Sequence, residues 1–214
     1  MASNATTAMH APLSLQSLGQ LCACCRRCGL VDQRQQVVVG RGNPAARLML
    51  IGEAPGADED ATGVPFVGRS GQLLDSLLQQ AGLDDVYICN AIKCRPPGNR
   101  RPTAAELTAC RPWLAAQISL VAPDLVLLVG ATALEAVLGI KGGITRLRGQ
   151  WHQAATGPLA AALAGCWLMP ILHPSYLLRF GRETEGGPRA LTRLDLRAVG
   201  VALAAPGVPP ALPS

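Results

Sequence analysis

Cys25-Arg-Arg-Cys28 sets two thiols three positions apart near the N-terminus, and Cys94 and Cys110 stand far downstream. Four thiolates gathered at one point suit either a tetrahedral zinc site or a cubane iron–sulfur cluster, because both accept four cysteines. Cys22 and Cys24 flank the N-terminal pair, and either is able to substitute in it. Cys89 closes one apolar run and Cys166 opens another, so both read as core thiols.

A second constellation begins where Leu48-Met-Leu-Ile-Gly52 runs into Glu53-Ala-Pro-Gly56 and the acidic Ala57-Asp-Glu-Asp60. Glycine and proline make a tight turn whose backbone N–H groups are able to face a carbonyl or phosphate oxygen. No Gly-Lys-Ser/Thr follows, so this is not a P-loop, and the Gly-x-Gly-x-x-Gly dinucleotide pattern is missing too. An acidic loop cradles phosphate poorly and suits positioning of a neutral base or activation of water. Gly63-Val-Pro-Phe66-Val-Gly68 comes next. The chain has only two Phe and two Tyr, so Phe66 between glycines reads as a core plug or as a stacking platform for a flat heterocycle.

Asn90-Ala-Ile-Lys93-Cys94-Arg95-Pro-Pro-Gly-Asn99-Arg100-Arg101-Pro102 joins four cations to stiff Pro-Pro geometry. It reads as a solvated loop or as a phosphate-contacting segment held by a metal centre. Asn90 ends an apolar run, and its amide is able to donate and accept against a pyrimidine edge. Leu172-His173-Pro174-Ser175-Tyr176-Leu-Leu-Arg179 places the one histidine that follows a strand and precedes a Pro-led helix start.

The elements that must position these residues are four short apolar runs, at Leu48–Ile51, Val86–Cys89, Leu125–Val129 and Trp167–Leu172, separated by helical patterns. Such alternation predicts an α/β fold with a parallel sheet covered on both faces, its chemistry in loops after the strands' carboxyl ends. Ser70 is placed to cap a helix carrying Leu73, Leu74, Leu77, Leu78 and Ala81, with Gly82 ending it. Thr103 and Glu106 make a capping box for a second, in which Pro112 predicts a kink or break near Cys110. Ala131–Leu138 and Gly187–Ala204 predict further helices, Ala154–Gly165 a loop, and His152 an edge strand.

Composition bounds the rest. At 214 residues, 49% hydrophobic and 15% charged, the chain fits one packed domain. We place that domain at residues 21–204, between a loosely ordered segment 1–20 and a disordered Pro/Ala-rich tail 205–214. A net charge of +5 suits a polyanionic partner without proving one. No secretory signal is read at the N-terminus, and runs such as Leu125–Val129 are too short to span a bilayer. The expectation is a soluble cytoplasmic protein without a membrane. In the cytosol, eight cysteines point to metal ligation or buried thiols rather than disulfides.

Taken in order, Gly52–Gly56, Gly63–Gly68, Asn90–Arg101, Leu128–Thr132, Ile144–Gly149 and His173–Arg179 resemble the family 4 uracil-DNA glycosylases, the iron–sulfur branch of that superfamily. With the cysteine pattern, the match runs through about residues 21 to 180. The resemblance implies a three-layer α/β/α fold around a four-stranded parallel sheet. It implies hydrolysis of the N-glycosidic bond of flipped-out deoxyuridine in DNA, leaving an abasic site. The reaction would be monofunctional, with no metal in the chemistry, and carried out by a monomer at the bacterial nucleoid. By position, Cys25, Cys28, Cys94 and Cys110 match ligands of a structural [4Fe–4S] cluster, with zinc the alternative.

Site residues carry over in the same way. Glu53 and Ala54 match the turn that offers backbone N–H groups to uracil, Phe66 the stacking aromatic, Asn90 the amide reading the base edge, and His173 the histidine near uracil O2. Glu59 matches a position similar in place to the tyrosine that excludes thymine's methyl in better-known enzymes. Those enzymes carry a water-positioning aspartate where this chain has Ala54, which leaves Glu53 and Glu59 as candidates for that task. Arg95, Arg100, Arg146, Arg148, Ser175 and Arg179 are the expected DNA-backbone contacts. Pro96–Pro102 contains no histidine, which excludes the covalent trapping of a related branch.

Overall fold

The structure is a computed structural model that describes residues 14–181 and 184–205. Four apolar runs become the parallel strands β2 (Leu48–Gly52), β3 (Val86–Asn90), β4 (Leu125–Val129) and β6 (Trp167–Ile171). Short antiparallel edges, β1 (Arg41–Gly42) and β5 (His152–Gln153), extend the sheet to six strands in the order β1-β3-β2-β4-β6-β5. The expected four-stranded parallel sheet is thus the core of a wider one, and His152 lies on the expected edge.

Side chains alternate across the sheet and so build two cores. Met49, Ile51, Tyr87, Val126, Leu128 and Leu168 face α4 (Ala104–Val121) and α5 (Ala131–Leu138). Leu48, Leu50, Ile88, Leu127, Met169 and Ile171 face α3 (Arg69–Gln80), α7 (Pro174–Phe180) and α8 (Pro188–Ala204). That is the three-layer α/β/α arrangement. The chain runs from β2 to β3 on one side and later lays β4 and β6 on the other. The strand order therefore reverses between β2 and β4, where α/β sheets open a crevice at their carboxyl ends.

Several local expectations change. Helix α3 is capped by Gly68 rather than Ser70 and ends at Gln80, with Gly82 at φ +68° just beyond. Helix α4 runs unbroken through Pro112. Proline there deletes one backbone donor, and burial of Cys110, Leu114, Ile118 and Val121 on the same helix offsets that loss. The segment expected to be loose up to residue 20 carries α1 (Leu15–Ala23) from residue 15. Ser14 caps it, and Leu18 and Cys22 bury its inner face, which packs on α4. Residues 1–13 and the tail from 206 lie outside the described residues. Among the described residues no helix is long and apolar enough to cross a membrane.

Candidate active site

The four parallel strands end on Gly52, Asn90, Val129 and Ile171, and the loops that follow them wall one cavity of about 390 Å³. Glu53, Ala54, Phe66, Asn90 and His173 all line it, as do Ser175 and Arg179. Phe66 and His173 lie with ring centroids 6.2 Å apart and planes inclined by 33°. A Cβ built on Gly52 would stand 2.5 Å from both Asn90 Oδ1 and the Phe66 ring, so the amide and the ring close on a bare backbone.

Phe66 holds a left-handed conformation, φ 56°, which costs a non-glycine residue about 1–3 kcal/mol unless its surroundings impose it. Its surroundings do impose it. Arg41 Nε donates to the Pro65 carbonyl at 2.9 Å, and α3 begins so close that a Gly71 Cβ would lie 1.9 Å from the Phe66 carbonyl oxygen. Glu59, on the short helix α2 (Ala57–Thr62), completes the clamp. One carboxylate oxygen accepts the Val67 and Gly68 N–H groups at 3.0 Å each, and the other accepts Gly56 N–H at 2.9 Å. Glu53 differs: both carboxylates line the cavity, but that of Glu53 makes no hydrogen bond among the described residues. The two carboxylates expected to share one task are therefore placed differently.

His173 caps α7, and its Nδ1 accepts Ser175 N–H at 3.1 Å. A ring nitrogen that accepts a backbone donor carries no proton, so the neutral tautomer is protonated on Nε2. Burial, and next the charge of Arg179, lower the His173 pKa to about 4. The imidazole is neutral at physiological pH.

The arginines separate into groups. Arg179 and Arg146 are exposed, the first at the cavity wall. Arg95 is half-buried and donates to Asn99 Oδ1 at 2.7 Å. Arg100 lines the cavity but forks onto Glu106 at 2.9 and 2.6 Å, and that contact draws the Glu106 carboxyl down to about 2. Arg148 does not fit its expected place at DNA. It pairs through two nitrogens with buried Asp195 and donates to the Leu191 carbonyl, so its charge is spent fastening the Ile144–Leu147 turn, α6, to α8.

The sequence reading gave no role to the β4–α5 turn, where Gly130, Ala131 and Thr132 line the cavity. Gly130 has φ +94°, and a Cβ there would stand 3.0 Å from His173 Cβ. The only signal was a strand ending in Val-Gly-Ala-Thr. Also unassigned were Tyr176, Leu178 and Phe180, partly to well exposed apolar side chains on the helix that bears Ser175 and Arg179.

The cysteines form a second centre. Cys25, Cys28, Cys94 and Cys110 line one small cavity with Cys22, whereas Cys24 is exposed and outside it. Trp113 Nε1 donates to Cys25 Sγ at 3.2 Å, Arg34 Nη1 to Cys94 Sγ at 3.3 Å, and Lys93 N–H to Cys110 Sγ at 3.3 Å. Protonated thiols are weak acceptors, so three N–H groups aimed at sulfur suit thiolates. Burial pushes the Cys110 thiol up to about 11 and Cys22 to about 12, so binding of a metal centre would release protons. Among the described residues no three His, Cys, Asp or Glu side chains converge closely enough to hold one metal ion. Four cysteines lining one cavity, three of them facing N–H donors at sulfur, fit a four-thiolate centre, either a cubane cluster or tetrahedral zinc.

Comparison with known proteins agrees with this geometry. The pattern of the uracil DNA glycosylase superfamily matches residues 39–195. A Type-4 uracil-DNA glycosylase of Thermotoga maritima is 47% identical over 161 residues, 72% of this chain and 78% of that protein. Its counterpart from Pyrobaculum aerophilum is 41% identical over 61% of this chain and 67% of its own, and that from Sulfurisphaera tokodaii 39% over 64% and 66%. The chain belongs to the uracil DNA glycosylase superfamily and, within it, to the type-4 branch.

Proposed function

We propose that the chain is a monofunctional uracil-DNA glycosylase, which flips deoxyuridine out of the helix and hydrolyses its N-glycosidic bond to leave an abasic site. The observation that carries this reading is the meeting of an aromatic face, a carboxamide and a neutral imidazole in one cavity at the sheet's switch point. Flipping costs a few kcal/mol. Stacking on Phe66 and pairing of the base edge with Asn90 recover part of it. Tyr176 and Leu178 suit the gap left in the duplex, as apolar wedges do.

As the glycosidic bond lengthens, negative charge collects on uracil. Ala54 N–H, which meets no protein acceptor among the described residues, and His173 Nε2–H are the donors we assign to it. A neutral donor avoids the cost of an imidazolium in a buried site. Glu53, with its free carboxylate, is assigned to the attacking water, and Glu59 to holding Phe66 rather than to chemistry. Among the described residues no lysine lines the cavity, so none of them places an amine to trap the sugar as a Schiff base, which supports a single hydrolytic step.

Cys25, Cys28, Cys94 and Cys110 would hold a [4Fe–4S] cluster that fastens the N-terminal segment to the basic loop. With all four positions filled by cysteine, the reaction needs no metal-bound water. DNA phosphates would meet Arg95, Arg146, Ser175 and Arg179, with Arg100 at the cavity rim. We assign the activity to a monomer, to residues 21–204 and to the cytoplasm. Incubation of the protein with a uracil-containing oligonucleotide, then alkali, tests the reading. Strand cleavage at uracil and none at thymine in the same context is expected; an intact uracil strand would refute it.

A further inference from the structure

Lys93 lies outside the base cavity, yet it heads the largest side chains sealed inside the protein and is only 1% exposed. Its Nζ donates to the Asn90 carbonyl at 2.6 Å, and its backbone N–H donates to Cys110 Sγ at 3.3 Å. Its own carbonyl accepts Val38 N–H at 2.8 Å. The residue thus touches the base-reading strand end and the cysteine cavity, which it helps to line.

Its charge has no carboxylate partner among the described residues. A buried ammonium without a counter-charge is strongly unfavourable. The groups around it are thiols: Lys93 lines one small cavity with Cys22, Cys25, Cys28, Cys94 and Cys110. Four cysteinates around a cubane cluster leave the centre net anionic, which is the counter-charge this site requires.

We infer that Lys93 is the internal counter-ion of the cysteine centre and, through its bond to the Asn90 carbonyl, the positioning residue that ties that centre to base recognition. This rests on the iron–sulfur reading above. It follows that losing the centre unsettles Asn90 as well as the basic loop, because an uncompensated ammonium no longer stays where it clasps the strand end.

Three variants of the full chain, purified with iron, separate the two roles. Lys93→Arg keeps charge and donors, Lys93→Gln keeps a donor without charge, and Lys93→Met keeps neither. The readouts are iron content, the rate of iron release to a chelator, the cluster's reduction potential, and KM and kcat on uracil DNA. Gln and Met are expected to release iron roughly tenfold faster, as for loss of a supporting residue beside metal ligands, and to shift the potential to more negative values. Arg is expected to stay near wild type in both. Met is expected to raise KM by about a further fivefold over Gln, the size of a lost neutral hydrogen bond, and more than it lowers kcat.

A Met variant that folds by circular dichroism but takes up no iron, while Arg does, also supports the counter-ion role. Unchanged potential and iron release in Gln and Met overturn that role, and equal KM in Gln and Met overturns the clasp. If Met does not fold, the difference in potential between Gln and Arg decides. Wild-type protein that binds no iron refutes the cluster itself, an outcome distinct from all of these.

Discussion

Phe66 and His173 stand with ring centroids 6.2 Å apart and planes tilted by 33°. A base sandwiched between two parallel rings needs about twice the ~3.4 Å rise of stacked nucleotides. These rings are therefore adjoining walls of one cavity. Phe66 offers a face to the base, and His173 is left to act through a hydrogen bond from its edge.

That division fixes a pH dependence. Unfolded histidine takes up a proton near 6.5, whereas burial and Arg179 hold His173 neutral down to about 4. The catalytic form is the neutral one, so kcat should hold as pH falls through 6.5 and decline only toward 4. Stability has the same sign: the unfolded chain binds the proton first, so the His173 contribution is full above pH 6.5 and is lost as pH falls to about 4. Single-turnover rates and thermal melts across pH 4–8 check both; an acid limb centred at 6.5 would contradict the assignment.

Glu53 and Glu59 should separate by assay. Glu59→Ala strips the acceptor from three N–H groups and should cost about 1–3 kcal/mol of stability while loosening Phe66. Glu53→Gln should leave stability within about 0.5 kcal/mol of wild type, since its carboxylate holds no hydrogen bond among the described residues, and lower kcat. Urea unfolding and single-turnover kinetics on the same preparations give the comparison. A Glu53 variant with full kcat would remove it from water positioning.

Gly52→Ala places a methyl 2.5 Å from Asn90 Oδ1 and from the Phe66 ring. Neither neighbour yields without leaving its place on the base. Uracil excision should fall about 100-fold, the usual loss for a displacement near 1 Å at a reacting site. Steady-state kinetics beside a circular-dichroism spectrum reads this, and a soluble, folded variant with wild-type kcat/KM would show that the cavity tolerates the methyl.

Arg146 and Arg148 lie two residues apart and should behave oppositely. Arg146→Ala should reduce the dependence of DNA affinity on salt by about one phosphate contact and leave stability unchanged. Arg148→Ala strands buried Asp195 and should cost about 3–5 kcal/mol, with the salt slope intact. Fluorescence anisotropy at several ionic strengths, paired with melts, distinguishes them.

These two arginines also mark how far sequence reading reaches. Leu48–Ile51 or Leu125–Val129 read as buried strands because an unbroken apolar run bounded by turns has few other uses. Glu53, Asn90 and His173 read as site residues because each sits at or just after a strand's carboxyl end. Arg148 misled because its partner, Asp195, lies 47 residues away on another helix, and charge in a loop looks the same whether it meets phosphate or a buried carboxylate. Glu59 is similar: its partners are backbone N–H groups, which no side-chain pattern announces. The N-terminal helix was too short to show a period, and its apolar positions Leu18 and Cys22 gain meaning only against α4.

The most direct measurement is the single-turnover rate of uracil release by wild-type protein and by His173→Ala under saturating enzyme. With His173 as one of the donors to the departing base, its loss should slow release by about 100- to 1,000-fold, as removal of one oxyanion donor does, with DNA affinity little changed. A variant that releases uracil at the wild-type rate would place the chemistry somewhere other than this cavity.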